Sequence, residues 1–469
     1  MLGPLLTTAK LVRWKALGWL PEYLRDARRK REIYESRGGE THIIFMVVDH
    51  FEPSKRLGAR GVEMVREWCD AYDAIASEHG DSNGRVPQHS WFYRYDYRNP
   101  ECVQILNEYV YRGLGEVEFH LHHGNDSPEV FERTIREGLE WFNDLGAMIS
   151  FEKTPQSRFG YIAGNWALDN GRRRPEFSGV NEELSILGNL GCYADFTFPA
   201  FGQSSQPAKV NSIYYATDDP GPKSYDSGVD VTVGGKPSGD LMLIQGPLYV
   251  DWQSSYFESA SFEDALPYFT GRLDWWLKAG VHVVGRPEWV FVKLHTHGMQ
   301  SRASFLGDQL HRLLADLEAQ CERESYSLHH VTAREAYNLV KAAEAGYSGD
   351  PGQYLDYDIK KPANRHLSVT CPYRLETAGP TDLALSLCET GEQRVEIGDN
   401  PIRSIHGYDL KTIKIQRDGD TVESLTLTGS GKCAIEYRSR NGGFGTVEVS
   451  LADGKTELTN LWTDEIERQ

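Results

Sequence analysis

The chain has 469 residues, and 50 Lys+Arg against 68 Asp+Glu leave a net charge of −18. That length exceeds what one hydrophobic core usually serves, so a large domain and a smaller companion are expected; 40% hydrophobic and 25% charged residues exclude a disordered chain. The negative balance argues against a nucleic-acid partner, because repulsion precedes any contact.

Residues 1–40 read as an N-terminal helical extension. They lack an apolar core with a small-residue cleavage site, so no secretory signal is expected, and no run of about 18 apolar residues follows anywhere. The basic stretch 25–31 reads as the end of a helix packed on its own domain, with peripheral contact to a membrane surface as the alternative. Seven scattered cysteines without a CxxC pair read as reduced thiols, hence a cytoplasmic location.

Residues 41–348 alternate short apolar runs with helical segments. The runs 42–49, 90–95, 116–123, 159–164, 192–198, 241–245, 290–297 and 326–331 predict strands. Ser127 before Pro128 marks one helix start, and Thr332 with Glu335 forms a capping box for another. About eight strand–helix units predict a (β/α) barrel with its chemistry at the C-terminal strand ends. Gly349-Asp-Pro-Gly352 reads as a break. Residues 349–469 then show short alternating runs with turns at Asp418-Gly419, Asn441-Gly442 and Asp453-Gly454, predicting a small antiparallel β-domain, expected as a sandwich.

The strand ends carry the candidate chemistry. In EVEFHLHH a period of two puts Glu116, Glu118, His120 and His122 on one face. Two imidazoles at i and i+2 can hold one divalent cation from the same side, with His123 at the bend as a competing ligand. The run VFVKLHTH places Lys293, His295 and His297 together, ligands or proton donors at a strand end. The first strand ends in Asp49-His50-Phe51-Glu52; an acid there must be solvated, paired or metal-bound. Asp49 is the general-base candidate, with His50 or Glu52 as a further ligand. In FGYIAGNWALDN, Asn165, Trp166 and Asp169 follow a strand, where Trp166 can stack on a sugar ring and Asp169 can accept hydroxyls. Asp126, after the histidine strand, and His297 complete the expected substrate contacts.

In order, VVDHFEP, EVEFHLHHGND, GNWALDN, GCYADFTFPA, IQGPL and FVKLHTHG resemble a divergent branch of the NodB-type polysaccharide deacetylases, the carbohydrate esterase family 4 superfamily, over 41–346. The resemblance implies a distorted (β/α) barrel that removes acetyl groups from polysaccharides with a divalent metal, zinc first. It implies Asp49 as base, with His50 where the family has its ligand aspartate. His120 matches the first histidine of the second motif; Gly124 stands at the second, so His122 or His123 takes that place. Pro199 matches the third motif, whose arginine is missing, and His295 matches the histidine that assists as acid. The expected partner is an acetylated carbohydrate. A glycoside hydrolase built on carboxylates such as Glu52, Glu118 and Asp169, or a silent carbohydrate-binding scaffold, are the alternatives.

Overall fold

A computed structural model describes residues 15–37, 40–378, 381–398, 400–418, 421–438 and 443–459. The chain groups into two compact units. The first comprises Met1–Asn99, Leu114–Arg136 and Phe159–Ile359; the second comprises Pro100–Gly113, Glu137–Arg158 and Lys360–Gln469. The last division falls later than the break read at Gly349. Asn338 donates to the carbonyls of Leu355 (2.6 Å) and Ile359 (2.8 Å), and Arg334 to that of Ile359, which ties this stretch to the first unit.

The first unit is a large, mostly parallel sheet flanked by helices. In chain order its elements include α1 (Leu20–Glu35), β1 (His42–Phe51), α2 (Ala59–Ala76), β2 (His89–Arg94), β3 (Gly115–Leu121), β4 (Phe159–Ala163), β5 (Cys192–Asp195), β6 (Ile213–Ala216), β7 (Val229–Asp230) and β8 (Leu241–Ile244). Then come β9 (Tyr249–Asp251), β10 (Tyr256–Glu258), β11 (Trp289–Thr296), β12 (Ser327–His330) and α3 (Ala333–Glu344). All eight apolar runs read from the sequence are strands of this sheet, whose order is β11-β1-β2-β3-β4-β5-β8-β6-β7. Strand β1 is the hub. It pairs with β11 over His42 to Asp49, while its other edge is shared between β12 at His42–Phe45 and β2 at Val47–Phe51. Irregular segments carry the β11 edge onward: Phe291 bonds to Val281, Val284 to Val231, and Val231 to Ile213 of β6.

Period two sorts the side chains of β1. Ile44, Met46, Val48 and His50 face inward with Phe92, Ile162, Ala194 and Phe291, and α3 packs into this core through Ala336, Leu339 and Val340. The capping box at Thr332 and Glu335 starts α3 as expected. The polar face of β3 has a partner at every level. Glu116 makes a two-pronged pair with buried Arg334 (2.9 and 3.0 Å), Glu118 accepts from the Tyr193 hydroxyl, and His120 meets Glu52. Helix α1 lies against the same unit: Trp19 and Tyr23 pack with Val210, Leu248 and Val250, and buried Lys30 donates to the carbonyls of Asn211 and Gly280. Its basic run is paired along the helix, Arg28 with Glu32 and Arg31 with Glu35. Among the described residues no helix is long and apolar enough to cross a membrane, and all seven cysteines are free thiols.

In the second unit the expected sandwich is replaced by one eight-stranded antiparallel sheet, curled and nearly closed. The reason is the length of Thr421–Arg438. Its register shifts between Gly429 and Gly431, where both glycines have positive φ; one half pairs with Leu410–Asp418 and the other with Ile402–Tyr408, so one strand serves both halves. Ile405, Ile413, Leu425, Leu427 and Ile435 fill its core.

Candidate metal centre

The C-terminal ends of β1, β3, β4 and β11 bring seven residues read from the sequence to one mouth. His50 is central. Its ring stacks on His297 (centroids 4.5 Å apart) and lies edge-on to His120 (5.1 Å), with Trp166 at 5.7 Å and His295 at 6.4 Å. Glu52 reaches in from the end of β1, its Oε1 3.1 Å from His120 Nε2 and 3.3 Å from His122 Nε2. Its other oxygen accepts from Gln300 (2.9 Å) and lies 3.5 Å from Arg94. Asp96, held by Arg94 and Lys55, takes the far nitrogen of His122 at 3.2 Å.

One ligand atom each from His50, Glu52 and His120 lies within 4.8 Å of the others. His120 lies between two acceptors. Its Nδ1 is 2.9 Å from the Ile162 carbonyl and its Nε2 faces the Glu52 carboxylate, so both nitrogens meet acceptors. A neutral imidazole has one N–H, and burial lowers the pKa of this ring. With the proton on Nδ1, the Nε2 lone pair faces Glu52 and can take a cation; with the proton on Nε2, the ring donates to Glu52. The buried Nε2 of His50 has no hydrogen-bond partner among the described residues. Burial alone would raise Glu52, yet the hydrogen bonds from His120 and His122 hold it well below the usual carboxylate range. Two imidazoles and a carboxylate at the ends of β1 and β3, on either side of β2, fit a divalent cation of the zinc type.

Two more histidines flank this set. His295, on the inner face of β11, is driven to a pKa of about 3 by burial, so it is neutral at pH 7. Burial would also lower His297, but its hydrogen bond to Glu263 (Nδ1 to Oε1, 2.6 Å) raises it. Trp166 walls the mouth from a loop in which Asn165, Trp166, Asp169 and Asn170 all have positive φ. Such backbone in bulky residues costs about 1 kcal/mol or more each and concentrates at functional sites.

Three expected residues lie elsewhere. Asp49 points to the opposite face of β1, because adjacent strand residues alternate. Fully buried, it accepts from His89 (3.0 Å) and from the Gly298 N–H (2.7 Å), which leaves it a brace for the turn after β11 and removes it as the base. Asp169 is fully buried and not in the cleft: its carboxylate accepts from the Ser224 N–H, its backbone N–H donates to Glu183, and burial raises it to about 8. Asp126 pairs with His123 (3.0 Å), which also approaches Glu183, so both belong to a separate cluster and His123 does not compete as ligand. Glu263, Arg94, Asp96 and Gln300 were not read from the sequence. Arg94 and Asp96 close a predicted strand and were open to the same strand-end reading; Glu263 lies in an irregular segment with no periodicity to mark it. A cavity of about 520 Å³ between α1 and Tyr249–Trp252 contains none of the cluster. No family model matches the chain, and no curated protein matches it.

Proposed function

We propose that the chain is a metal-dependent hydrolase that removes acetyl groups from a carbohydrate, on a distorted (β/α) barrel of the NodB type. The observation that carries this reading is the His50–Glu52–His120 set, where a doubly accepted imidazole and an unpartnered one face a carboxylate at the strand C-termini. These residues would hold the cation, with His122 at the rim. A bound zinc-type cation supplies a low-pKa water and polarises an acyl oxygen. The residues around it supply the rest. Glu263 fixes one nitrogen of His297 and leaves the other to exchange a proton with the substrate, the arrangement of a general acid–base. Neutral His295 and the apolar face of Trp166 line the mouth, and an indole face suits stacking on a sugar ring. Asp49 positions the Gly298 turn next to His297.

The test pairs elemental analysis with acetate release from acetylated oligosaccharides. His120→Ala and Glu52→Gln are expected to lose metal and activity together, and His297→Gln to lose about 10²-fold or more in kcat with its metal retained. Full acetate release by the chelated chain defeats the metal role. Chain cleavage without acetate points to a glycosidase, and sugar binding without turnover to a silent binder.

A further inference from the structure

The other end of β1 carries a second group of donors. His42 Nδ1 lies 3.0 Å from Nε2 of His329 on β12. Asp350 Oδ1, in the segment after α3, is 3.9 Å from the same His329 nitrogen. One ligand atom from each residue lies within 4.8 Å of the other two. Strand register causes this. Strand β12 runs parallel beside β1 with Ser327 opposite His42 and His329 opposite Ile44, so His42 and His329 are diagonal neighbours on one face.

The spacing suits a metal. Tetrahedral zinc with nitrogen and oxygen donors near 2.0–2.1 Å sets its ligand atoms about 3.3 Å apart, between the two observed separations. At 3.0 Å one of the two nitrogens of His42 and His329 donates to the other, and a cation would take both lone pairs once the shared proton moves to the far nitrogen of its own ring. Asp350 is already oriented, since it caps the turn Pro351–Tyr354 by accepting from the Gly352 N–H at 2.8 Å. Glu40 and Glu288 add negative charge towards His42. The half-exposed Asp350 leaves one side open to water.

We propose that His42, His329 and Asp350 form a second, structural site for a divalent cation of the zinc type, which clamps β12 and the segment after α3 onto the start of β1. It is independent of the His50 centre. The metal-stripped full chain is titrated with Zn²⁺ alone by calorimetry, and thermal unfolding is followed in parallel. Asp350→Asn keeps the cap and removes the charged ligand; His42→Gln removes a ring from the strand start. Each is expected to weaken one zinc equivalent by about tenfold or more, whereas His120→Ala keeps that equivalent. Zinc is also expected to raise the unfolding midpoint of His120→Ala and to lose that effect when His42→Gln is added. Isotherms for Asp350→Asn and His42→Gln that superimpose on the native one, with unchanged circular dichroism, overturn the proposal. Because the sites are removed by different substitutions, failure of either leaves the other readable.

Discussion

Glu118 faces the core one pleat below His120, accepting from the Tyr193 hydroxyl and from the Gly160 N–H at 2.5 Å. Burial raises its pKa to about 8, more than those two hydrogen bonds can offset. The native chain therefore holds a proton there that the unfolded chain has released above the ordinary carboxylate range. Stability from this group is complete at low pH and is lost as pH rises from about 4.5 through about 8, at up to about 1.4 kcal/mol per pH unit. Glu118→Gln keeps an acceptor for Gly160 and offers a donor to Tyr193 without an ionisable proton. Unfolding midpoints measured between pH 5 and 8 should fall less steeply in this variant by that amount. An identical slope in both chains would assign the pH dependence to other buried acids, such as Asp169.

The turn after β11 shows how strand ends fix the cleft. A Cβ on Gly298 would lie 2.1 Å from Asp49 Oδ2 and 3.2 Å from the Trp68 ring, and Trp68 also donates to the Gly298 carbonyl. Gly298→Ala must displace either the buried carboxylate or the turn carrying His297. The expected cost is about 1–3 kcal/mol in stability and, on the proposed deacetylase reading, a loss of acetate release exceeding the loss of folded protein. Wild-type stability and turnover in this variant would show the brace to be dispensable. The same elements show what a sequence can reveal. Apolar runs exposed every parallel strand, and the three that end in Asp or His exposed most of the cleft, because burial on both faces leaves few polar residues until the strand end. Asp49 was misassigned because the first strand is apolar on both faces, so nothing in its pattern said which one curves inward. Glu263 and Asp350 were missed as partners because their segments lack a period, and only the fold brings them to His297 and His329.

Over the whole molecule the charge of −18 sets long-range repulsion against local ion pairs. Exposed pairs such as Arg28 with Glu32 and Arg136 with Glu132 are worth about 0–1 kcal/mol each and weaken with salt. The pairs that organise the first unit, Arg334 with Glu116 and Arg272 with Glu258, are buried and screened far less. Raising ionic strength from about 0.01 to 0.15 M cuts the screening length from about 30 to 8 Å, which removes repulsion across the surface while leaving those inner pairs in place. Repulsion is summed over all the uncompensated acids, so its relief should exceed the loss from the exposed pairs. The first unfolding midpoint is therefore expected to rise by a few degrees in sodium chloride, corresponding to a gain on the order of 1 kcal/mol. A midpoint that falls over this range would mean that the surface pairs, and not the net charge, dominate the electrostatics of folding.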